Sequence, residues 1–173
     1  MRKTTLVTPI VAAAALLLLT SGNASAADTG TTFTIAAGTF GLSAPAGPVT
    51  LGALTASAAA QSTGPISLGD VTVTDGRGGV GGWVASVTSS AFTGTGSGTP
   101  ASAMTYTPGT ATVTGTATVT GATADDMTAI KPVQTATAVS GANSATWTPT
   151  LTVLVPAGAQ VGSYSAVVTH SLV

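Results

Sequence analysis

The 173-residue sequence has no cysteine, no glutamate, a single histidine and only four lysines and arginines. Each shortage excludes something. Without cysteine there are no disulfides and no zinc–thiolate sites. Arg2 and Lys3 precede an apolar N-terminal run, so Arg77 and Lys131 are the only strong bases beyond it. Two cations make no basic stripe, which argues against nucleic acid or an acidic membrane surface as a partner. Aromatic residues are also scarce, at two Trp, two Tyr and three Phe. Little else offers comparable apolar area, so each ring has a strong claim on the interior. No window sustains a 3.6-residue apolar period. What abounds is Thr, Ser, Ala, Gly and Val, the residues of strands and turns.

The N-terminus sets the expected compartment. Arg2 and Lys3 form a basic start, Leu6 to Leu19 is apolar apart from Thr8 and Pro9, and Ala24-Ser25-Ala26 is an Ala-x-Ala cleavage site. The expectation is a signal peptide over residues 1–26 and a mature domain over 27–173. That domain would have 173 − 26 = 147 residues, enough for one self-sufficient core, and a net charge of 2 − 5 = −3. The apolar run is too short for a stable membrane span. No lipid-accepting cysteine, second long apolar run or C-terminal sorting tail follows it. The protein is therefore expected outside the cell or on the wall surface, with no membrane span in its mature form and no covalent anchor of its own.

Parity along the chain predicts strands. Val71 and Val73 oppose Asp70, Thr72 and Thr74; Trp83, Ala85 and Val87 oppose Val84, Ser86 and Thr88. Over 110–120, Ala111, Val113, Gly115, Ala117 and Val119 take one side and an unbroken row of Thr takes the other. Thr150–Val155 is a strand stopped by Pro156, and Tyr164, Ala166, Val168, His170 and Leu172 line one face of a last strand. Turn signals fall at Gly38, Pro45–Pro48, Gly64-Pro65, Pro108-Gly109, Gly121 and Gly141, with a mobile loop expected at 94–100. This spacing predicts an all-β chain: one antiparallel β-sandwich, Ig-like or jelly-roll-like, of roughly eight to eleven strands. The expected core is Val71, Val73, Trp83, Val87, Val113, Val119, Leu151, Val153, Tyr164, Val168 and Leu172.

Catalytic candidates are few. A hydrolytic triad needs a His between a Ser and a carboxylate, and His170, the only candidate, sits on an apolar strand face where a packed, hydrogen-bonded role is the simpler expectation. Asp70 and Asp75 differ in parity, so they leave opposite faces and make no acid–base pair. Asp125-Asp126 matches no calcium-loop spacing and reads as solvated loop. No enzyme activity, metal or cofactor is expected. Asp75 and Arg77, flanking Gly76, are placed to staple a tight turn through a bidentate ion pair. The functional alternative is that Arg77, backed by Trp83, contacts an anionic or sugar ligand. Trp83, Trp147 and Tyr164 are then the aromatic candidates, with Trp83 otherwise read as core.

The stretch Val71-Thr72-Val73-Thr74-Asp75-Gly76-Arg77-Gly78, followed by Gly82-Trp83-Val84-Ala85, resembles the first motif of the WxL domain, a cell-wall-associated module of Gram-positive surface proteins. Tyr164-Ser165-Ala166-Val167-Val168-Thr169-His170-Ser171-Leu172 is similar to its distal strand. The likeness runs from about Ile66 to Val173. Ala85 stands where the family has Leu, and His170 where it has its second Trp. The resemblance implies a non-catalytic cell-envelope protein that associates non-covalently with peptidoglycan, with Trp83, Arg77, Asp75, Trp147, Tyr164 and His170 as candidate contacts.

The Thr row on 110–120 has three readings: a solvated strand face, a site for O-glycosylation, or an assembly edge, since it lacks the Lys, Glu or Pro that guard exposed edges. Two function classes follow. One is a wall-polymer-binding module; the other is a structural subunit that associates with itself or with other surface proteins.

Overall fold

The computed structural model describes residues 28–95 and 103–173. The expected signal peptide lies outside these residues, as do positions 96–100 of the expected mobile loop. Among the described residues all strands fall within Ile35–Val173, one compact unit. Of the preceding unit, residues 28–34 carry no helix or strand and are exposed.

The chain is all-β and antiparallel throughout its pairings, as expected of a sandwich. The larger sheet contains β1 (Phe40–Ser43), β4 (Val71–Asp75), β5 (Trp83–Ser89), β8 (Thr112–Gly121), β10 (Lys131–Trp147) and β13 (Val168–Leu172). It curls into a nearly closed, barrel-like form. The second sheet contains β2 (Gln61–Ser62), β3 (Ile66–Ser67), β7 (Met104–Thr107), β9 (Ala124–Asp125) and β11 (Thr150–Val155). A two-stranded ribbon joins β6 (Thr93–Gly94) to β12 (Tyr164–Ser165).

The organising element is β10, seventeen residues long. One edge pairs with β8 through residues 134–146. The opposite edge takes β5 at residues 131–136 and β4 at residues 143–147. β4 and β5 therefore run in the same direction, end to end along one neighbour, with Gly76–Gly82 looping out between them. β10 is irregular at the same level: its register shifts between Thr137 and Asn143, with Ala138 at φ 50° and Gly141 at φ 73°. The Gly141 N–H donates to the Gly79 carbonyl across this gap. The turn expected at Gly141 is thus corrected to a bulge, and the strand continues through it. A positive φ marks a left-handed residue, and the pairing on both sides shows that the chain does not reverse there. The strand leaves the sheet at Thr148-Pro149 and enters the second sheet as β11.

Two clusters fill the interior. Val71, Val73, Trp83, Ala85, Ala136, Val139, Ala145 and Trp147 fill the curl of the larger sheet. Val87, Val133, Met104, Tyr106, Met127, Leu151 and Val153 join the larger sheet to the second one. Of the expected core, Val71, Val73, Trp83, Val87, Leu151 and Val153 are buried. Val113, Val119, Tyr164, Val168 and Leu172 are only half-buried. The difference is positional: β8 and β13 are edge strands, and an edge side chain lacks a neighbour on one flank. The last strand is also broken, since β12 pairs with β6 while β13 pairs with β5, although its apolar face keeps the expected parity.

Candidate functional site

The joint between β4 and β5 gathers three of the residues singled out in the sequence. Asp75 ends β4 on the same face as Val71 and Val73 and is 2% exposed. A buried carboxylate is tolerable only with charged or multiple hydrogen-bond partners. Arg77 supplies them: Nε donates to Oδ1 and Nη2 to Oδ2, each at 2.9 Å, and the Arg77 backbone N–H donates to Oδ1 at 3.1 Å. Nη2 also donates to the Gly82 carbonyl at 3.1 Å, and the guanidinium carbon lies 3.7 Å from the centre of the Phe40 ring. One cation thus ties both ends of the 76–82 excursion and caps an aromatic ring on β1. Arg77 holds the Asp75 carboxyl below the usual carboxylate range, and the same pairing raises the Arg77 guanidinium.

Close backbone approach explains two glycines here. Gly76 and Gly38 bond backbone to backbone, and a Cβ at Gly76 would stand 2.9 Å from Gly38. A Cβ at Gly82 would meet the Ala136 carbonyl oxygen at 2.3 Å. The next residue, Trp83, is buried, and its indole N–H donates to Asn143 Oδ1 at 3.1 Å. The indole thereby fastens β5 to the irregular part of β10.

Trp147 and His170 belong to a second cluster. The Trp147 indole N–H donates to the Tyr106 hydroxyl at 3.2 Å, and that hydroxyl lies 3.1 Å from His170 Nε2. The two rings meet edge-to-face at 5.6 Å between centroids. Burial pushes the Tyr106 phenol up to about 12 and lowers the His170 imidazole. The partner of His170 is therefore a tyrosine, not a serine. Tyr164 stands apart on β12, half-buried, its hydroxyl donating to the Gln160 carbonyl at 2.8 Å.

With Trp83 2% and Trp147 1% exposed, neither offers an open face for stacking on a sugar. Arg77 remains partly exposed, with its donors turned toward Asp75 and Gly82. Asp126 is turned back on its own loop, accepting from the Thr128 N–H and hydroxyl. Among the described residues no group of three His, Cys, Asp or Glu gathers to hold a metal, and no helix is long and apolar enough to cross a membrane.

Sequence reasoning missed Asn143 and Tyr106. Asn143 shares the parity of Ala145 and Trp147, and Tyr106 that of Met104, so the same alternation places both on core faces. A buried amide or phenol then needs a partner, and each finds a Trp.

A groove of about 420 Å³ opens at the end of β8, between Thr107–Ala111 and Val119–Gly121. Beneath it, Gln134 is 1% exposed and gives its Nε2 to the Gly109 carbonyl at 3.1 Å. Comparison with protein-family models, curated proteins and solved structures returns no match to this chain.

Proposed function

We propose that this chain is a non-catalytic, exported cell-envelope protein that adheres non-covalently to the cell-wall polymer, peptidoglycan, as its likeness to the WxL family implies. The observation supporting this is the placement of the two stretches that carry the likeness. Far apart in sequence, they lie side by side: β13 pairs with β5, His170 opposite Val87 and Leu172 opposite Ala85. The strand carrying the distal stretch thus runs beside the strand that follows the Asp75–Arg77 joint, while Tyr164 lies apart on β12. Arg77 and residues 78–82 are exposed at the joint.

The test is sedimentation of purified protein with isolated cell walls, with and without soluble peptidoglycan fragments as competitor. Co-sedimentation abolished by the fragments supports the proposal, and a protein that stays in the supernatant refutes it. N-terminal sequencing of exported material should begin at Ala27.

A second reading, a structural subunit that associates with itself, is favoured by a separate observation. Among the described residues β8 is hydrogen-bonded along one edge only, and it carries no charged residue.

A further inference from the structure

We propose that the protein self-associates by strand donation: residues 32–37 of one copy add as an antiparallel strand to the free edge of β8 in a second copy. This rests on the self-association reading and goes beyond it by naming the two surfaces that meet.

The donor is visible as an unsatisfied pattern. Thr32-Phe33-Thr34-Ile35-Ala36-Ala37 alternates polar and apolar residues over its first four positions, the period of a half-buried strand. Yet the segment belongs to no strand, and Phe33 is 86% and Ile35 83% exposed. A chain with only three Phe leaves one of them bare at a position patterned for burial. Two apolar side chains exposed on one face of a strand-patterned segment gain by being covered.

The acceptor is the complementary vacancy. β8 runs for ten residues, longer than most strands, and among the described residues no strand pairs with its second edge. Edge strands are normally blunted by charge, proline or shortness. β8 has only a kink, at Gly115 with φ 86°. Beyond that kink, Thr116–Gly121 is an open six-residue edge.

The two patterns fit in one register. With Phe33 opposite Val119, Ile35 falls opposite Ala117 and Ala37 opposite Gly115. This extends the apolar row of β8, whose Ala117 and Val119 are half-buried and packed against the core of the curled sheet. Thr32 and Thr34 then face Thr120 and Thr118 on the solvent side, and Thr–Thr pairs suit facing strand positions. A slip by one residue would turn Phe33 and Ile35 to that solvent side, so the register is selected by burial. The groove at the end of β8, with Pro108, Ala111 and Val119 in its lining, opens beside the position Phe33 would take. Antiparallel addition follows every other pairing among the described residues. Donor and acceptor are different surfaces, so the contact is head-to-tail. Such contacts grow into open chains of copies rather than stopping at a pair.

The lack of native cysteine permits a clean test. Thr34→Cys protein is mixed with Thr118→Cys protein under mild oxidation, with Thr112→Cys, at the far end of the same exposed row, as control. The proposal expects a covalent heterodimer from the first mixture and none from the control. By light scattering, wild type should give a concentration-dependent series of multiples. Phe33→Lys/Ile35→Lys protein should be monomeric with an unchanged melting temperature. A wild type that is monomeric at every concentration refutes both the contact and the self-association reading. Oligomers that persist in the double-lysine variant and do not cross-link refute strand donation alone and leave self-association standing. A Thr34→Cys/Thr118→Cys double variant that closes only within single molecules would put the segment on its own edge and overturn the exchange between copies.

Discussion

The Tyr106 hydroxyl lies 3.1 Å from His170 Nε2 while accepting the indole N–H of Trp147 at 3.2 Å, joining a strand of the second sheet to two strands of the larger one. One proton placement lets all three groups pair. Tyr106 accepts from Trp147, so its own proton is free to go to His170. In that arrangement Nε2 is the unprotonated nitrogen of a neutral ring and accepts from Tyr106. Protonating His170 turns Nε2 into a donor and leaves the buried tyrosine proton without that acceptor.

Acid should therefore weaken the fold through His170. Burial lowers its folded-state pKa, and no charged group contributes to that shift. A base with a depressed folded pKa contributes no penalty above its unfolded pKa of about 6.5. Stability falls as pH drops from there toward the folded value, then levels off. Thermal melts of wild type and His170→Gln between about pH 5 and 8 should show the wild type losing more stability on acidification. Parallel losses in both proteins would remove His170 as the cause.

Trp83→Ala should destabilise by about 3–5 kcal/mol, the usual cost of truncating a buried aromatic. The change also strands the Asn143 amide, whose oxygen accepts the indole proton. A denaturant melt reads this directly. An unchanged midpoint together with lost wall binding would instead make Trp83 a ligand contact.

Gly82→Ala should also destabilise, although it adds only one methyl group. That methyl would stand 2.3 Å from the Ala136 carbonyl oxygen, and a backbone atom cannot swing aside as a side chain can. Overpacking of this kind costs about 1–3 kcal/mol, occasionally more. By contrast, Gly41→Ala meets nothing within 4 Å and should be close to neutral. Equal melting temperatures for the two variants would contradict the close approach of β5 to β10.

The Asp75–Arg77 pair should show itself as a pH-dependent gap between wild type and Arg77→Ala. Arg77 lowers the Asp75 pKa from its ordinary 3.8, so the pair's contribution is present above that value and is lost as pH falls through the lower folded pKa. Urea melts from about pH 7 down to pH 2 should show the two proteins converging in acid. Arg77→Lys should recover only part of the gap, because an ammonium cannot form the two-pronged contact. A gap that stays constant with pH would mean that Arg77 acts through its stacking on Phe40 instead.

Alternation alone disclosed the all-β character, the burial of Val71, Val73, Trp83 and Val87, and the outward Thr row of β8. Each depends on period and composition within a few residues, and a pleated strand turns that local pattern into two faces without reference to the rest of the chain. The Asp75–Arg77 staple was legible for the same reason, since its partners are two residues apart. The Trp83 strand and the last strand, far apart in sequence, became neighbours only through the pairing of β13 with β5. Pairing across long stretches of chain decided the rest: that β10 runs through Gly141, that β4 and β5 line up along one of its edges and β8 along the other, and that Tyr106 meets His170. No local pattern specifies which strand satisfies which edge. That choice is made by the summed burial and backbone hydrogen bonding of the whole sheet, and it appears only when the sheet closes.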